Sequence, residues 1–323
     1  FKQKTAYEIY QCDWSSDVCS SDLLSGIMIS LQSRANGELS YRLDNSIQAA
    51  FVSFSSGLLV LIIIAIFSAQ VRLGMRNLRA ALADGRIPWW QIPAGVLGGL
   101  FVALQTHVVP LIGVAIYSVA SIAGQTAISL FVDRIGLTGG GKKLISKRRV
   151  AAAVVTVTAV FISVIDKFSV ATFSLIAVFL SLAAGALVGV QRALNGQINE
   201  HTKVSFSTSL LNFIMGTTTL GVIWLLGILF NNGKVSPLPG WNLLLYTGGT
   251  IGVIYIAFTA TIVQHLGVLT FTLFSVGGTL IGSLLIDLLI PSHGIGVSWY
   301  LVGGIAMTYL GVMIGGQSRL FKR

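Results

Sequence analysis

The sequence predicts an all-α integral membrane protein with about ten transmembrane helices, arranged as two inverted five-helix repeats. Composition is the first observation behind this prediction, because 54% of the 323 residues are hydrophobic and only 10% are charged. A soluble domain carries about 25% charged residues. A chain with this composition cannot cover a water-facing surface, so we expect lipid to be its main solvent. The other two observations are an internal repeat and an uneven distribution of positive charge.

The internal repeat is clearest between segments 26–39 and 185–198. At a constant offset of 159 residues, Gly26, Gln32, Asn36 and Gly37 recur as Gly185, Gln191, Asn195 and Gly196. The same offset matches Ser46, Phe54 and Gly57 with Ser205, Phe213 and Gly216. Further on, an offset of 154 matches Gly95, Gly98, Gly113, Gly124, Ser129 and Asp133 with Gly249, Gly252, Gly267, Gly278, Ser283 and Asp287. A duplicated half in an apolar chain is typical of secondary transporters.

The transmembrane spans follow from runs of about 20 apolar residues. The predicted spans are 23–39, 46–68, 92–109, 111–132, 150–166, 173–197, 205–230, 241–263, 267–290 and 298–316. Five fall in each copy, which predicts a first repeat over 24–168 and a second over 169–323. Because five spans carry the chain to the opposite side of the membrane, the second copy is predicted to be inverted.

The first segment, 1–23, does not fit the repeat. The sixth span starts near Thr172, so its counterpart should start near residue 13, where the chain instead carries Asp13, Asp17 and Asp22. An aspartate at the centre of a membrane helix costs roughly 2.5–3.5 kcal/mol. The segment also resembles translated sequencing-adapter DNA. We therefore predict that 1–23 is non-native and that the first helix is truncated; a genuine polar N-terminus before a short helix is the alternative.

Orientation follows from the positive-inside rule. With both termini in the cytoplasm, the cytoplasmic segments hold Arg72, Arg76, Arg79, Arg86, Arg134, Lys142, Lys143, Lys147, Arg148, Arg149, Lys203, Arg319, Lys322 and Arg323. The opposite face holds only Arg42, Lys167 and Lys234. This asymmetry explains most of the net charge of +10 and gives no reason to expect a nucleic-acid partner.

The repeated amides are the first candidates for a functional site. Gln32 and Asn36 lie four residues apart and share one helix face, as do Gln191 and Asn195. Polar amides in lipid need partners, so this face should point to the protein interior or a wet cavity. One hypothesis is that the two pairs meet across the pseudo-two-fold axis and hydrogen-bond a substrate. The alternative is that Asn-Gly ends each helix and the glutamines bridge helices.

Charged residues within the spans are the second group of candidates. Arg34 and Arg192 favour an anionic substrate if they face a cavity, although both lie near enough to a helix end to reach the headgroups. Glu38 and Asp287 are weaker candidates for coupling to protons, and Asp287 could equally lie at headgroup level before Pro291.

The Gly-x5-Gln-x3-Asn-Gly segment in both halves, with ten spans in a five-plus-five inversion, resembles the drug/metabolite transporter superfamily. More narrowly, the chain resembles a branch in which five-helix proteins occur singly or as tandem fusions. The resemblance covers about 24–317 and places the family pattern on Gln32, Asn36, Gln191 and Asn195. It implies an alternating-access carrier in a bacterial inner membrane, with a central cavity between the halves.

The functional prediction is a secondary active transporter of small metabolites or drug-like molecules, in which one inverted half rocks against the other. The sequence contains no Gly-x4-Gly-Lys-Ser/Thr motif of the kind that binds phosphate in ATP-driven transporters. No cluster of potential ligands suggests a metal, a cofactor or an enzyme such as a lipid-group transferase. A lipid flippase and a non-transporting scaffold remain alternatives. The many small-xxx-small glycine pairs would allow a homodimer.

Overall fold

The computed structural model describes residues 16–137, 145–167, 173–230, 235–240, 242–255, 268–291 and 296–316, and within these ranges it contains helices and no strands. The helices are α1 (Ser16–Leu43), α2 (Ser46–Phe67), α3 (Ala69–Ala83), α4 (Ala94–Ile135), α5 (Lys147–Val164), α6 (Leu175–Thr202), α7 (Ser205–Phe230), α8 (Leu243–Tyr255), α9 (Val268–Leu289) and α10 (Trp299–Gly316). Helices α2, α4, α5, α6 and α7 are long and apolar enough to cross a membrane, and α8, α9 and α10 contribute shorter apolar stretches. The predicted all-helical membrane architecture is confirmed.

Two predictions extend beyond the described residues. Most of segment 1–23 lies outside them, since α1 begins at Ser16, and its non-native origin stays a prediction. The last part of the predicted span 241–263 also lies outside. Helix α1 is 28 residues long, as is α6, and the two begin at equivalent positions of the repeat.

Helix α4 consists of two antiparallel arms, 94–112 and 114–135, that meet at Gly113. Gly113 has φ 81° and ψ 167°, a conformation open essentially to glycine alone. The side chain of Gln197 hydrogen-bonds both to Gln91, before the first arm, and to the carbonyl of Leu137, after the second. A straight helix of 42 residues would hold its ends about 63 Å apart, so the chain must reverse. The third and fourth predicted spans are confirmed, with the turn at Gly113 rather than at Pro110.

The predicted polar connection between the second and third spans contains a helix of its own, α3. Apolar and small residues recur at helical spacing and are buried, namely Val71, Gly74, Leu78 and Ala81. Arg72, Arg76 and Arg79 lie on the exposed face. The hydroxyl of Ser207 on α7 donates to the carbonyl of Val71 over 2.9 Å, which holds α3 against the second half.

The repeated glycines mark close crossings between the two halves. Gly185 of α6 packs against the carbonyl of Ser121 on the second arm of α4, and the equivalent Gly26 of α1 packs against the carbonyl of Ser275 on α9. A second equivalent pair of contacts joins Gly124 to Leu182 and Gly278 to Leu23. At each crossing an added Cβ would collide with a backbone carbonyl, so small residues allow the backbones to approach.

The pseudo-two-fold axis passes between α2 and α7. The rings of Phe54 and Phe213, which are repeat equivalents, have centroids 4.9 Å apart. Phe51, one turn earlier on α2, stacks on Trp224, which is later on α7. Gly57, later on α2, packs against Phe213. Contacts therefore move backwards along α7 as they move forwards along α2, so these equivalent helices are antiparallel and the repeat is inverted.

Candidate functional site

The repeated amide of the first half belongs to a buried polar cluster formed by α1 and both arms of α4. Asn36 Nδ2 donates to Gln105 Oε1 over 2.9 Å, and Gln105 Nε2 donates to Ser33 Oγ over 2.9 Å. The hydroxyl of Tyr117 lies beside the side chains of Gln105 and Ser121. We call these five residues, Ser33, Asn36, Gln105, Tyr117 and Ser121, the first-half cluster.

Two polar atoms of the first-half cluster have no hydrogen-bond partner among the described residues. They are Asn36 Oδ1 and the Tyr117 hydroxyl, on side chains that are 0% and 2% exposed. Asn36 Oδ1 packs against Gly248 of α8, in the other half of the protein. A buried polar group without a partner costs about 1–3 kcal/mol, which a water molecule or a ligand at this position would offset. Both atoms are thus positions where a polar ligand can be bound.

The repeated amides of the second half are joined to each other instead. Gln191 Nε2 donates to Asn212 Oδ1 over 3.1 Å, and Asn212 Nδ2 donates to Asn195 Oδ1 over 2.8 Å. Asn212 also donates to the carbonyl of Thr208 over 2.8 Å. We call these three hydrogen-bonded residues, Gln191, Asn212 and Asn195, the second-half chain. They join α6 to α7.

The two repeated glutamines occupy equivalent places at the interface between the halves. Gln191 packs against Gly98 on the first arm of α4, and Gln32 packs against Gly252 on α8. Within the ranges given above, no hydrogen bond joins the Gln32 and Asn36 side chains to those of Gln191 and Asn195. Each amide pair therefore contacts the opposite half, but the two pairs are held by separate networks.

The charged candidates form local pairs. Glu38 lies between two arginines of α1, at 3.5 Å from Arg34 and 2.8 Å from Arg42. Arg192 is exposed and donates to Gln125 Oε1 over 2.8 Å. This hydrogen bond places Arg192 next to the second arm of α4. Gln125 in turn lies close to Ser121, with 3.5 Å between Gln125 Nε2 and Ser121 Oγ.

Asp287 binds the start of the second arm of α4. Its carboxylate accepts hydrogen bonds from the backbone N–H groups of Val114, over 3.2 Å, and Ala115, over 2.7 Å. A carboxylate at a helix N-terminus satisfies free N–H groups and interacts favourably with the helix dipole. The equivalent Asp133 pairs instead with Arg149 at the start of α5. The geometry thus gives Asp287 a structural role at the reversal of α4.

The residues of these networks that were not among the sequence candidates include Gln105, Tyr117 and Asn212. Their equivalents in the other half are Thr259, Phe271 and Ser53, so a search for repeated residues passes over them. The signal that could have found them is the polar side chain within an apolar span. Among the described residues, no group of three or more His, Cys, Asp or Glu side chains could hold a metal ion.

The fold and this site define a multi-pass helical membrane protein built from two inverted copies, with buried amides where each copy meets the other. The family described as "Putative inner membrane exporter, YdcZ", of the drug/metabolite transporter type, matches the chain twice, over residues 19–162 and 176–314. The chain belongs to this family, and it is a membrane transport protein.

Comparison with solved structures supports the fold. One chain, described only as "Crystal structure of protein", is 17% identical in sequence and superposes with a TM-score of 0.51, covering 92% of this chain and 94% of the other. At this identity the likeness concerns the fold alone. No curated protein matches the sequence.

Proposed function

We propose that the protein is a secondary active, alternating-access carrier that moves small metabolites or drug-like molecules across the inner membrane. The observation that carries the proposal is the equivalent placement of the repeated amides. Gln32 contacts Gly252 and Gln191 contacts Gly98, so each amide face lies at the interface between the copies. Inverted-repeat transporters bind substrate at such an interface. We assign solute contact to Gln32, Asn36, Gln191 and Asn195, with Arg34 and Arg192 nearby.

Helices of each copy pack against helices of the other, and these contacts define where motion would occur. Helix α1 packs on α9, and α6 packs on α4, through glycines that contact backbone carbonyls. Small residues at these crossings allow the helix backbones to approach closely. We infer that alternating access uses displacement along these two crossings, rather than the rocking of one compact five-helix half against another.

Cross-copy hydrogen bonds at the two ends of the bundle support this mechanism. At one end Gln197 of the second copy bonds to Gln91 and to the Leu137 carbonyl of the first. At the other end Gln48 of the first copy exchanges hydrogen bonds with the backbone of Ser236, over 2.7 and 3.0 Å. Alternating access would break one set of contacts while the other is kept. The charge distribution favours the end with Gln197 as the cytoplasmic one.

The test is uptake into proteoliposomes that contain the purified full chain. Radiolabelled organic cations, carboxylates, sugars and nucleosides are supplied in turn, with and without a proton gradient. We expect saturable flux of at least one class, lost in the Asn36→Ala, Asn195→Ala double variant. The matched control is Gln70→Ala, Asn242→Ala, which removes two exposed amides.

The outcome separates the carrier from its alternatives. Flux that survives in the Asn36→Ala, Asn195→Ala variant would support carrier function and show that these two amides are not needed to bind the solute. Movement of fluorescent lipids between leaflets, without solute flux, would favour a flippase. Absence of both would favour a scaffold.

A further inference from the structure

Several polar residues around the repeated amides are not duplicated. Gln105, Tyr117 and Gln125 in the first copy correspond to Thr259, Phe271 and Thr279 in the second. An inverted-repeat protein with a symmetric site would carry similar hydrogen-bonding groups at these positions. The first copy therefore has two amide side chains and a phenol hydroxyl where the second copy has two threonines and a phenylalanine.

The hydrogen-bonding capacity of the two copies differs in the same direction. In the second-half chain, the amides of Gln191, Asn212 and Asn195 bond to each other. In the first-half cluster, Asn36 Oδ1 is buried without a partner among the described residues, and the Tyr117 hydroxyl lies beside Gln105 and Ser121 without a hydrogen bond of good geometry. One is an acceptor, and the other can donate or accept. A ligand that satisfies both atoms needs at least one donor and benefits from an acceptor.

The first-half cluster contains only uncharged side chains. The candidate charges near it are engaged or lie at its outer end. Glu38 pairs with two arginines, Asp287 accepts from two backbone N–H groups, and the exposed Arg192 is bonded to Gln125. Segment 256–274, whose side chains lie outside the described set, contains no Asp, Glu, Lys or Arg in its sequence. Burying a charged group without a counter-charge is strongly unfavourable, so this site disfavours ionised ligands.

We propose that the first-half cluster binds the uncharged polar part of the transported solute, an amide or hydroxyl group that both donates and accepts hydrogen bonds. The inference rests on the proposed carrier function and specifies its substrate class. Asn36 Oδ1 accepts from the solute, and the Tyr117 hydroxyl bonds to the same polar group. Because Asn36 Oδ1 faces Gly248 of the other copy, displacement of α1 from α8 gives the solute access to it.

A polar stripe connects this cluster with the exposed end of the bundle. Tyr117, Ser121 and Gln125 lie four residues apart on one face of the second arm of α4. Gln125 is bonded to Arg192, which is exposed. A neutral solute that moves along this stripe exchanges hydrogen bonds with successive side chains, and only its outer end carries a charge.

The experiment compares three probes in the proteoliposome assay: uridine as the uncharged probe, tetramethylammonium as the cation and benzoate as the anion. We expect flux of uridine by the wild-type chain, in preference to both ions. Tyr117→Phe removes one hydroxyl and keeps the ring, so it should raise the half-saturating uridine concentration about three- to tenfold, the effect of one lost hydrogen bond. Tyr300→Phe, at an exposed tyrosine, is the matched control and should have no effect.

A second variant, Asn36→Asp, tests the charge argument with a side chain of nearly the same shape. It should lower uridine flux and raise that of tetramethylammonium, because a carboxylate would then face the solute. Preference of the wild-type chain for either ion would overturn the inference and leave the carrier intact. So would equal uridine affinity in Tyr117→Phe and Tyr300→Phe. No uridine flux, from folded protein that carries a charged solute of the panel above, would overturn this inference alone. No flux of any solute in that panel would refute the proposed carrier and this inference together.

Discussion

At the residue scale, Asp287 makes contacts that its place in an apolar segment does not indicate, while its role in proton coupling stays a prediction. From sequence, Leu284-Leu-Ile-Asp287-Leu suggested a site that could carry a coupling proton. The structure places the carboxylate on the N–H groups of Val114 and Ala115, where the chain resumes a helix after Gly113. No sequence pattern could reveal this, because the partners lie more than 170 residues away on the other copy.

We predict that Asp287→Ala destabilises the protein more than Asp287→Asn. Alanine leaves two buried N–H groups without an acceptor, at a cost of about 1–3 kcal/mol each, whereas asparagine keeps one oxygen acceptor. The measurement is the melting temperature in detergent, with the exposed Asp84→Asn as control. Asp287→Asn should also keep gradient-driven flux. If it melts like the wild type and loses only the dependence on the proton gradient, the carboxylate is a coupling group and the structural assignment is wrong.

The repeated amides show what sequence comparison within one chain can and cannot find. The sequence shows that Gln32 is equivalent to Gln191, because the two residues are identical. In the structure each packs against a glycine, Gly252 for Gln32 and Gly98 for Gln191. Gln105 and Asn212, which bond to the asparagines, stayed hidden because their equivalents differ. A repeat search detects what both copies need and misses what distinguishes them.

At the element scale, the hairpin of α4 depends on one residue. Gly113 combines φ 81° with ψ 167°, and a Cβ there would lie 2.8 Å from Asp287 Oδ2. We predict that Gly113→Ala lowers the free energy of unfolding by roughly 1–3 kcal/mol or more, from backbone strain alone. The measurement is the melting temperature, with Gly303→Ala as control because nothing lies within 4 Å of its added Cβ. Equal melting temperatures for the two variants would contradict the reversal at Gly113.

The glycine crossings give a prediction in which the repeat itself is the control. Gly124→Ala and Gly278→Ala each place a Cβ against a backbone carbonyl at equivalent crossings. Overpacking costs typically 1–3 kcal/mol, so we expect similar losses of stability in both variants. Gly227→Ala on α7, where the added Cβ meets nothing within 4 Å, should not destabilise. Thermal melting in detergent measures all three, and a harmless Gly124→Ala beside a damaging Gly278→Ala would refute equivalent packing.

Helix α3 was missed from sequence for a physical reason. Segment 69–83 carries three arginines that interrupt its apolar residues, so a search for membrane-length apolar runs reads it as a loop. The buried Val71, Leu78 and Ala81 nevertheless recur at helical spacing. Its formation depends on the second half, because Leu194 and Ile198 of α6, together with Ser207 of α7, supply the surface that buries this stripe.

At the scale of the whole molecule, the number of spans and their inversion could be predicted, whereas the interleaving of the copies could not. Span count follows from apolar run length, and inversion follows from counting five spans per copy. Which helices pack together depends on shape at the crossings, such as Gly185 on Ser121 and Gly26 on Ser275. Glycine spacing suggested close packing but named no partner, because the chain has 36 glycines and many pairs fit.

Inversion and orientation lead to the last prediction, which uses equivalent connections of the two copies. Ala83 ends the helix that follows the second span of the first copy, and Asn242 lies after the second span of the second copy; both are exposed. In a chain with Cys12 and Cys19 replaced by serine, we predict that a membrane-impermeant maleimide added to intact cells labels Asn242→Cys and not Ala83→Cys. Permeabilised cells should label both, which controls for reactivity. Labelling of both residues in intact cells would contradict the inversion. The opposite pattern would be consistent with the inversion but would show the reverse orientation. The exposed Arg72, Arg76 and Arg79 on α3 would then lie outside the cytoplasm, which contradicts the positive-inside rule.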